Sequence, residues 1–391
     1  MDLGKYDLVL VGKESFCQLF VSKSLGHLKC KTINSTTKEF VTEENWPKLL
    51  NELRASGRNY LGFLSFPNWS PSCNAETIAK FGEYLKNEGL VFDKYFSLST
   101  DQASLVDNKL STYKFLMTRD KLRKYVPHYT TNDSMNDNAG QFPLVVRKFS
   151  ESGGRGSQLI LNKNELDKVR GERGFFTEFI RGFEVTQTIL MLDGNTIYFP
   201  QTWKGETSHE MLHSDQKPKF AGIFPESPIV RRFVGELSEE FSGNYLIAVQ
   251  CLMSINETDI QCKIVEIESR VTGSTPIMEE AAGVSIIEIL IDWLLKKKSK
   301  GYDVKPIRPA CQFISYSSLS NNLESPLVLE VKDQQQPDQR IRYRISFSAD
   351  KKQALVSKAR DIGKKIADPQ FATRIEHDLE VLKLATLRPK A

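Results

Sequence analysis

The segment 263–274 constrains the fold and the chemistry of this chain more than any other stretch. It reads Lys-Ile-Val-Glu-Ile-Glu-Ser-Arg-Val-Thr-Gly-Ser, and its Ile and Val residues favour a β-strand. A strand places Glu266, Glu268 and Arg270 on one face, because they occupy alternate positions. Two neighbouring carboxylates repel unless a cation lies between them, and Mg²⁺ prefers oxygen ligands. The segment therefore predicts either a metal site with an anion-binding Arg, or an edge strand with a solvated charged face.

Length and charge narrow the class of protein. The chain has 391 residues, 40% of them hydrophobic and 26% charged, which is enough for two or three domains with a core. Its net charge of +4 is small beside 53 basic and 49 acidic side chains. Composition therefore favours neither a nucleic-acid partner nor a membrane partner.

Cysteine usage and hydropathy bear on the compartment. The six cysteines are scattered without a CxxC pair, which is typical of reduced thiols in the cytoplasm. The amino terminus lacks a charged-then-apolar signal, and the longest apolar stretch, 286–295, is interrupted by Glu288 and Asp292. The sequence therefore predicts a cytoplasmic protein with no membrane span.

The first hundred residues read as an α/β unit. Apolar runs at 6–11 and 60–66 predict buried strands, and residues 15–25, 46–56 and 75–88 have helical patterns. This alternation favours an open parallel sheet. No GxGxxG follows the first strand, so a dinucleotide site is not predicted there.

A glycine-rich segment lies between two predicted strands. Residues 142–148 form an apolar run that ends in Arg147 and Lys148, and a strand resumes at 158–161. Between them lie Gly153, Gly154 and Gly156, whose lack of side chains would let backbone N–H groups approach phosphate oxygens. By itself the pattern also fits a plain turn.

The remaining elements follow from periodicity and composition. Three segments are predicted as helix, 102–125, 228–241 and 284–295, and two strands at 175–192 join at Arg181-Gly182. Gln250 lies in a strand at 243–253, and residues 129–140 and the small residues after the 263–274 strand read as loops. Residues 203–219, with Lys217 and Lys219, read as an exposed loop. There His209 and His213 lack metal-ligand spacing.

The last part of the chain changes character. Strands are predicted at 326–331 and 340–346, and helices at 354–366 and 374–384. No group of residues there suggests chemistry.

Taken together, the motifs resemble the ATP-grasp superfamily, and specifically its carboxylate–amine ligases that act on amino acids or peptides. The resemblance covers residues 98–295 and depends on the order of five segments. They are Asp-Asn-Lys (107–109), Phe-Pro-Leu-Val-Val-Arg-Lys (142–148), Ser-Gly-Gly-Arg-Gly (152–156), Glu-Phe-Ile-Arg-Gly-Phe-Glu (178–184), and Glu-Ile-Glu-Ser-Arg (266–270) with Gly273-Ser274.

The resemblance implies an architecture of the α/β plus α+β class. Residues 1–97 would form an open parallel α/β domain that precedes the ATP-grasp fold. Residues 98–305 would form the two-subdomain ATP-grasp fold, with a mobile lid at about 129–192. Residues 306–391 would form an α+β portion that completes the large lobe.

The resemblance also implies where ATP binds. Lys109 and one of Arg147 and Lys148 would contact phosphates, with the glycines 153, 154 and 156 closing over them. The main chain of Glu178, Phe179 and Ile180 would hold adenine, and Glu184 would accept the ribose hydroxyls.

At the metal the resemblance implies Mg²⁺, or Mn²⁺ in its place, bound by Gln250, Glu266 and Glu268. The family pattern has an acidic residue at the position of Gln250, although some relatives have Gln, and Asn at the position of Glu268. The two departures compensate, because the three ligands still carry two negative charges.

The implied reaction joins a carboxylate and an amine through an acylphosphate. Arg270 would stabilise developing negative charge, and the backbone N–H of Ser274 would bind the carboxylate. Lys217 or Lys219 would complete the phosphate clamp. The partners would be small-molecule substrates, and a homodimer is compatible with the resemblance. The alternatives are an ATP-grasp phosphotransferase or carboxylase, or a non-catalytic nucleotide-binding protein.

Overall fold

The computed structural model describes residues 7–24, 26–67, 74–132, 142–149, 157–171, 173–207, 217–255, 260–295, 304–315, 327–332, 341–365, 373 and 375–380. The strands are β1 (Leu8–Gly12), β2 (Cys30–Asn34), β3 (Asn59–Phe66), β4 (Val91–Phe96), β5 (Tyr129–Thr131), β6 (Leu144–Arg147), β7 (Ser157–Ile160), β8 (Phe175–Glu178), β9 (Gly182–Leu192), β10 (Asn195–Tyr198), β11 (Thr202–Thr207), β12 (Lys219–Ala221), β13 (Tyr245–Ile255), β14 (Ile260–Glu268), β15 (Ala310–Ser315), β16 (Leu327–Lys332) and β17 (Ile341–Ser348). The helices are α1 (Glu14–Lys23), α2 (Lys38–Val41), α3 (Trp46–Ser56), α4 (Ala75–Asn87), α5 (Thr100–Asp107), α6 (Lys109–Met117), α7 (Lys163–Val169), α8 (Pro228–Ser238), α9 (Thr275–Ala282), α10 (Ile286–Leu294) and α11 (Lys352–Lys365). Residues 375–380 are also helical.

The amino-terminal part is the parallel sheet that the sequence predicts. Its strand order is β2-β1-β3-β4, and every pair is parallel. All five residues of β1 are buried, which explains its uninterrupted apolar run. A hydrophobic cluster that includes Leu8, Leu246 and Leu290 packs this sheet against β13 and α10. The amino-terminal sheet is therefore held firmly against the rest of the molecule.

The largest element is a nine-stranded sheet, whose neighbouring strands are antiparallel. Its order is β14-β13-β9-β11-β12-β15-β17-β16, and β10 pairs with β9. Strand β9 lies near the middle and is buried along its whole length. Helix α9 packs against this sheet, and the helical residues 375–380 share its hydrophobic core, although both come from distant parts of the chain. The sheet therefore organises most of the molecule.

A second antiparallel sheet, with the order β5-β8-β6-β7, lies between α6 and β9 in the chain. The chain passes from this small sheet to the large one between Glu178 and Gly182. At that point a side chain on Gly182 would collide with the carbonyl oxygen of Met253, so the close approach of the two backbones requires glycine. The domain boundaries given above stay predictions.

Strand β14 carries the acidic motif and lies at one edge of the large sheet. Helices α5 and α6 pack against it, and the Tyr113 hydroxyl lies 3.0 Å from the carbonyl oxygen of Ile264. Glu266 and Glu268 are each only 8% exposed. The strand is thus an edge strand, but the prediction of a solvated charged face is wrong.

Several predicted elements need correction. The helix predicted at 102–125 is interrupted at Asn108, where the backbone is extended. The Asn108 side chain accepts a hydrogen bond from the Ser111 N–H and so caps the start of α6. The loop predicted at 203–219 contains β11 and the start of β12. Part of the small-residue loop after β14 is helix α9, and the loop predicted from residue 129 begins with β5. Short or polar segments gave too little periodicity to reveal these elements.

The carboxyl-terminal part confirms two predicted strands, β16 and β17, and the helix α11, while β15 was missed. The helix predicted at 374–384 is present over the described residues 375–380. Ile375 and Leu379 are buried in the main core, so this segment packs into the same hydrophobic cluster as strands of the large sheet. Of the helices that the structure describes, none combines the length and the apolarity needed to cross a membrane.

Candidate functional site

A cleft lies between the small sheet and the large sheet. Its wall includes residues from α6, from the small sheet and from β9, β11, β13 and β14. Eight of the residues that the sequence singles out line it, namely Lys109, Arg147, Glu178, Phe179, Ile180, Glu184, Gln250 and Glu266. Motifs separated by more than 150 residues therefore converge on one site.

Glu266 and Lys109 form a buried ion pair at this cleft. Their Oε2 and Nζ atoms are 2.8 Å apart. Burial acts to raise the pKa of Glu266, but the charges of Lys109, Arg147 and Arg270 outweigh it, so the pKa lies below its usual value. The carboxylate is therefore ionised at neutral pH. The interruption of the helix at Asn108 makes Lys109 the first residue of α6, and Lys109 forms the pair from that position.

Glu268 lies between two donors. Arg270 donates to its Oε1 atom, and Gln250 Nε2 donates to its Oε2 atom over 2.8 Å. The other end of the Gln250 side chain accepts from Lys204 Nζ over 3.3 Å. This orientation of the amide follows from its neighbours, because an ammonium can only donate and an ionised carboxylate can only accept. Gln250 and Glu268, which the sequence assigned to one metal, are in direct contact.

Glu184 is paired with Lys204, a residue of the segment 203–219 that was predicted to be an exposed loop. The two side chains are buried and form an ion pair across neighbouring strands β9 and β11. Lys204 also contacts Gln250, so it links Glu184 to the Gln250–Glu268 pair. Trp203 between Thr202 and Lys204 was the signal for a strand here, since threonine and aromatic residues favour β-structure.

Lys217 and Lys219 are buried, so their placement in an exposed loop was wrong. Lys217 is 2% exposed, and its Nζ donates to Thr207 Oγ1 over 2.7 Å. Burial lowers its pKa to about 8, an effect that Glu184 opposes. Lys219 lies opposite Lys204 in the register of β11 and β12. Lys217 reaches the cleft through Thr207, which lines it.

The two basic residues at the end of β6 differ in position. Arg147 lines the cleft, and its guanidinium donates to the Tyr113 hydroxyl over 2.9 Å. Its Nε atom is buried and has no hydrogen-bond partner among the described residues. Lys148 is exposed. Arg147 is therefore the one placed to meet a ligand, and the buried Nε is a donor that an anion could satisfy.

The remaining predicted residues fall in three places. Glu178, Phe179 and Ile180 lie where the chain passes from one sheet to the other, and all three line the cleft. The Glu178 carboxylate accepts from the His128 N–H over 2.8 Å, and the Phe179 N–H donates to the carbonyl oxygen of Pro143 over 3.1 Å. Ser274 is buried at the start of α9, where its N–H donates to Thr272 Oγ1 over 3.2 Å, so binding a substrate there would require exchange of that bond. Outside the described residues lie Gly153, Gly154, Gly156, His209 and His213.

The donors fit a hard divalent cation. The described residues hold no cluster of three His, Cys, Asp or Glu side chains. Two ionisable carboxylates and one carboxamide nevertheless meet at Glu266, Glu268 and Gln250, and such oxygen donors suit Mg²⁺ or Mn²⁺. Each carboxylate already has a cationic partner, Lys109 or Arg270, which shows that positive charge is favourable at this point.

No family model matches the sequence, and the search of curated proteins found no match. The fold is nevertheless similar to solved structures. An L-amino acid ligase from Bacillus licheniformis superimposes with a TM-score of 0.70 at 14% identity, over 93% of this chain and 98% of that one. An Aspergillus clavatus carboxyaminoimidazole ribonucleotide synthase complexed with ATP gives 0.66 at 12% identity, over 93% and 99%.

A biotin carboxylase from Campylobacter jejuni gives a TM-score of 0.63 at 12% identity, over 98% of this chain and 97% of that one. All three matches cover nearly the whole of both chains, so they concern the complete architecture and not a shared subdomain. The identities are too low to transfer a substrate. The protein has the ATP-grasp fold that its ordered motifs predicted.

Proposed function

We propose that the protein is an ATP-dependent carboxylate–amine ligase that forms an amide or peptide bond and releases ADP and phosphate. The observation that carries this proposal is a set of three linked cation–carboxylate pairs. Lys109–Glu266 and Lys204–Glu184 each place a carboxylate in the wall of the cleft, and Arg270–Glu268 is joined to the cleft through Gln250. Similar structures include an L-amino acid ligase and a synthase complexed with ATP, which supports the nucleotide and the ligase class. An amino acid or a small peptide is the proposed substrate.

The nucleotide would lie between the two sheets. Lys109 and Arg147 would contact its phosphates, and the buried Arg147 Nε offers a donor for them. The connection at Glu178–Ile180 would hold adenine, and Glu184 would accept the ribose hydroxyls in exchange for its contact with Lys204. Lys204 would then be available, beside Lys217 and Lys219, for the phosphate clamp.

Glu266 and Glu268, with Gln250 beside them, would hold the metal. A bound Mg²⁺ would neutralise phosphate charge during transfer. When a carboxylate of this site binds a cation, Lys109 or Arg270 loses its present partner and can turn to an anionic ligand. The protein thus supplies both the metal ligands and the basic groups from the same pairs.

The reaction would proceed in two steps. A carboxylate oxygen of the first substrate attacks the γ-phosphorus, the bond to ADP breaks, and an acylphosphate forms. An amine nitrogen then attacks the acyl carbon, phosphate leaves, and the nitrogen loses a proton. Arg270 would hold the negative charge that develops on the transferred or tetrahedral group, since positioning and charge stabilisation supply most of the catalysis.

MgATP should stabilise the folded protein. A ligand that binds only the native state adds RT ln(1 + [L]/Kd), which is about 2.7 kcal/mol at a hundred times Kd. We expect the melting midpoint to rise with MgATP and to rise less with ATP in the presence of a chelator. Scanning fluorimetry would measure both shifts, with MgCl₂ alone as the control. A folded sample whose midpoint does not change at millimolar MgATP would rule out the nucleotide site.

Turnover should require a carboxylate and an amine together. An ADP-release screen over pairs of amino acids would identify the substrates, and hydroxylamine should trap the acylphosphate as a hydroxamate when the amine is omitted. Mass spectrometry should then find one amide formed for each ADP released with the complete pair. A stable phosphorylated product without an amide would instead establish a phosphotransferase.

A carboxylase is the second candidate, because the similar structures include a biotin carboxylase. Such an enzyme would use the same nucleotide residues. ADP release that depends on bicarbonate, and not on an organic carboxylate, would favour it. A cytoplasmic location and a homodimeric state stay predictions.

A further inference from the structure

The carboxyl-terminal helical segment, residues 375–380, reaches the back of the candidate site although its sequence suggested no chemistry. Ile375 is 0% exposed and Leu379 is 2% exposed, and both belong to the core cluster that contains Trp203 of β11. These two anchors fix the segment beside β11. Asp378 lies between them in the sequence and faces the same strand.

Asp378 lies directly against the backbone of β11 at Gly205. A Cβ atom built on Gly205 would be 2.6 Å from Asp378 Oδ2 and 3.1 Å from its Cγ. Only glycine allows a carboxylate to approach the strand this closely. The position of Gly205 therefore makes room for the carboxylate of the half-buried Asp378.

The neighbouring functional group is the buried ammonium of Lys217. Its partner Thr207 is two residues from Gly205 on the same strand and lines the cleft. A buried ammonium is costly unless anionic groups surround it. The charged groups that act on Lys217 are Glu184 from β9, Lys204 and Glu206 from β11, and Asp378 from the carboxyl-terminal segment.

We propose that Asp378 is a positioning residue of the site, whose carboxylate, seated against Gly205, anchors the buried Lys217 ammonium behind the cleft wall at Thr207. The large lobe thereby depends on a residue near the end of the chain to keep a cation at the cleft. Its relevance to ATP rests on the function proposed above, whereas the electrostatic coupling between Asp378 and Lys217 can be tested without any nucleotide.

The pH dependence of this coupling follows from Lys217. Burial, together with the charge of Lys204, lowers its pKa to about 8. The carboxylates of Glu184 and, more weakly, Asp378 act in the opposite direction. Lys217 is therefore charged below about pH 8 and neutral above it. The attraction between the two charges is present at neutral pH and is lost as the pH rises through this value. The net cost of burying the Lys217 ammonium is relieved at the same time, because the folded pKa lies below the unfolded one, so only the difference between variants reports on the coupling.

A double-mutant cycle on melting midpoints tests the proposal. We expect Asp378→Asn to lower the midpoint at neutral pH in the wild-type background and to lower it much less in a Lys217→Met background. The difference between the two backgrounds should disappear at about pH 9.5, where Lys217 is neutral. If Asp378 has only a structural role, Asp378→Asn should lower the melting midpoint by the same amount in both backgrounds at both pH values, and that result would overturn the proposal.

Two further variants sharpen the experiment. Glu376→Gln is the matched control, because Glu376 is on the same segment and pairs with the exposed Arg360 over 2.6 Å; its effect should be the same with Lys217 or Met at position 217. Gly205→Ala should displace the Asp378 carboxylate without removing its charge. If Asp378→Asn fails to fold, Gly205→Ala should lower the melting midpoint more with Lys217 than with Met at position 217. An equal decrease in the two backgrounds would refute the anchoring.

Discussion

Replacing Arg270 by Ala should lower turnover by a factor on the order of a hundred to a thousand, which is the usual cost of losing a donor that stabilises transition-state charge. Arg270 is paired with Glu268 at the end of β14, and the proposed function assigns it to the charge that phosphoryl transfer would develop. ATP affinity should change much less than turnover, since the interaction strengthens only in the transition state. Steady-state kinetics with the identified substrates, beside ATP binding by calorimetry, would separate the two quantities.

Two variants control for a general effect of losing an arginine. Arg231→Ala removes the same side chain from an exposed ion pair with Glu226 and should leave turnover unchanged. Arg270→Lys keeps the charge but loses the planar fork, so its turnover should lie between wild type and Arg270→Ala. If Arg270→Ala turns over normally, Arg270 serves only as the partner of Glu268, and the assignment of the transition-state role is wrong.

Replacing Glu266 by Gln should have the second large effect, on metal binding and on stability together. The change removes one carboxylate from the proposed metal site and leaves the buried Lys109 without its 2.8 Å partner. Breaking a buried pair by removing one charge typically costs about 3–5 kcal/mol. Because the pKa of Glu266 is lowered on folding, its stabilisation is present above the ordinary pKa and is lost as the pH falls through the folded value.

The measurements for Glu266→Gln are denaturant unfolding and Mn²⁺ binding by electron paramagnetic resonance in the presence of ADP. We expect a lower unfolding midpoint and a Mn²⁺ affinity weaker by at least about tenfold. Glu52→Gln is the control, because Glu52 forms an exposed pair with Lys31 and should change neither quantity. Unchanged Mn²⁺ affinity in Glu266→Gln would remove Glu266 from the metal site, whatever happens to stability.

The sequence predicted the parts of the fold that long apolar or alternating runs encode. The parallel amino-terminal sheet and the two strands joined at Arg181-Gly182 followed from such runs, because hydrophobic periodicity reports directly on burial. Strands β10 and β12 have four and three residues, which is too short for a periodic signal. The break at Asn108 was also missed, since a single capping side chain decides it.

The candidate site was predicted as far as its motifs are contiguous. Lys109, Arg147, Glu184 and Glu266 belong to ordered motifs and line one cleft. Lys204 was missed because its burial depends on the register of β11 with β9, which no local pattern states. Asp378 was beyond sequence reasoning for the same reason, since its place depends on tertiary packing between residues more than 170 positions apart.

The three ion pairs at the cleft carry no net charge between them, and on the proposed function this would make metal and nucleotide binding thermodynamically dependent on each other. A polyphosphate alone would have to compete with carboxylates for Lys109 and Arg270, and a metal alone would have to compete with those cations for Glu266 and Glu268. When both arrive, each frees the partner that the other needs. Their binding free energies are then coupled, and the coupling is reciprocal: Mg²⁺ raises the affinity for ATP by the same factor by which ATP raises the affinity for Mg²⁺. On the proposed function, a site whose ion pairs are electrically balanced would therefore bind the metal–nucleotide complex in preference to either component.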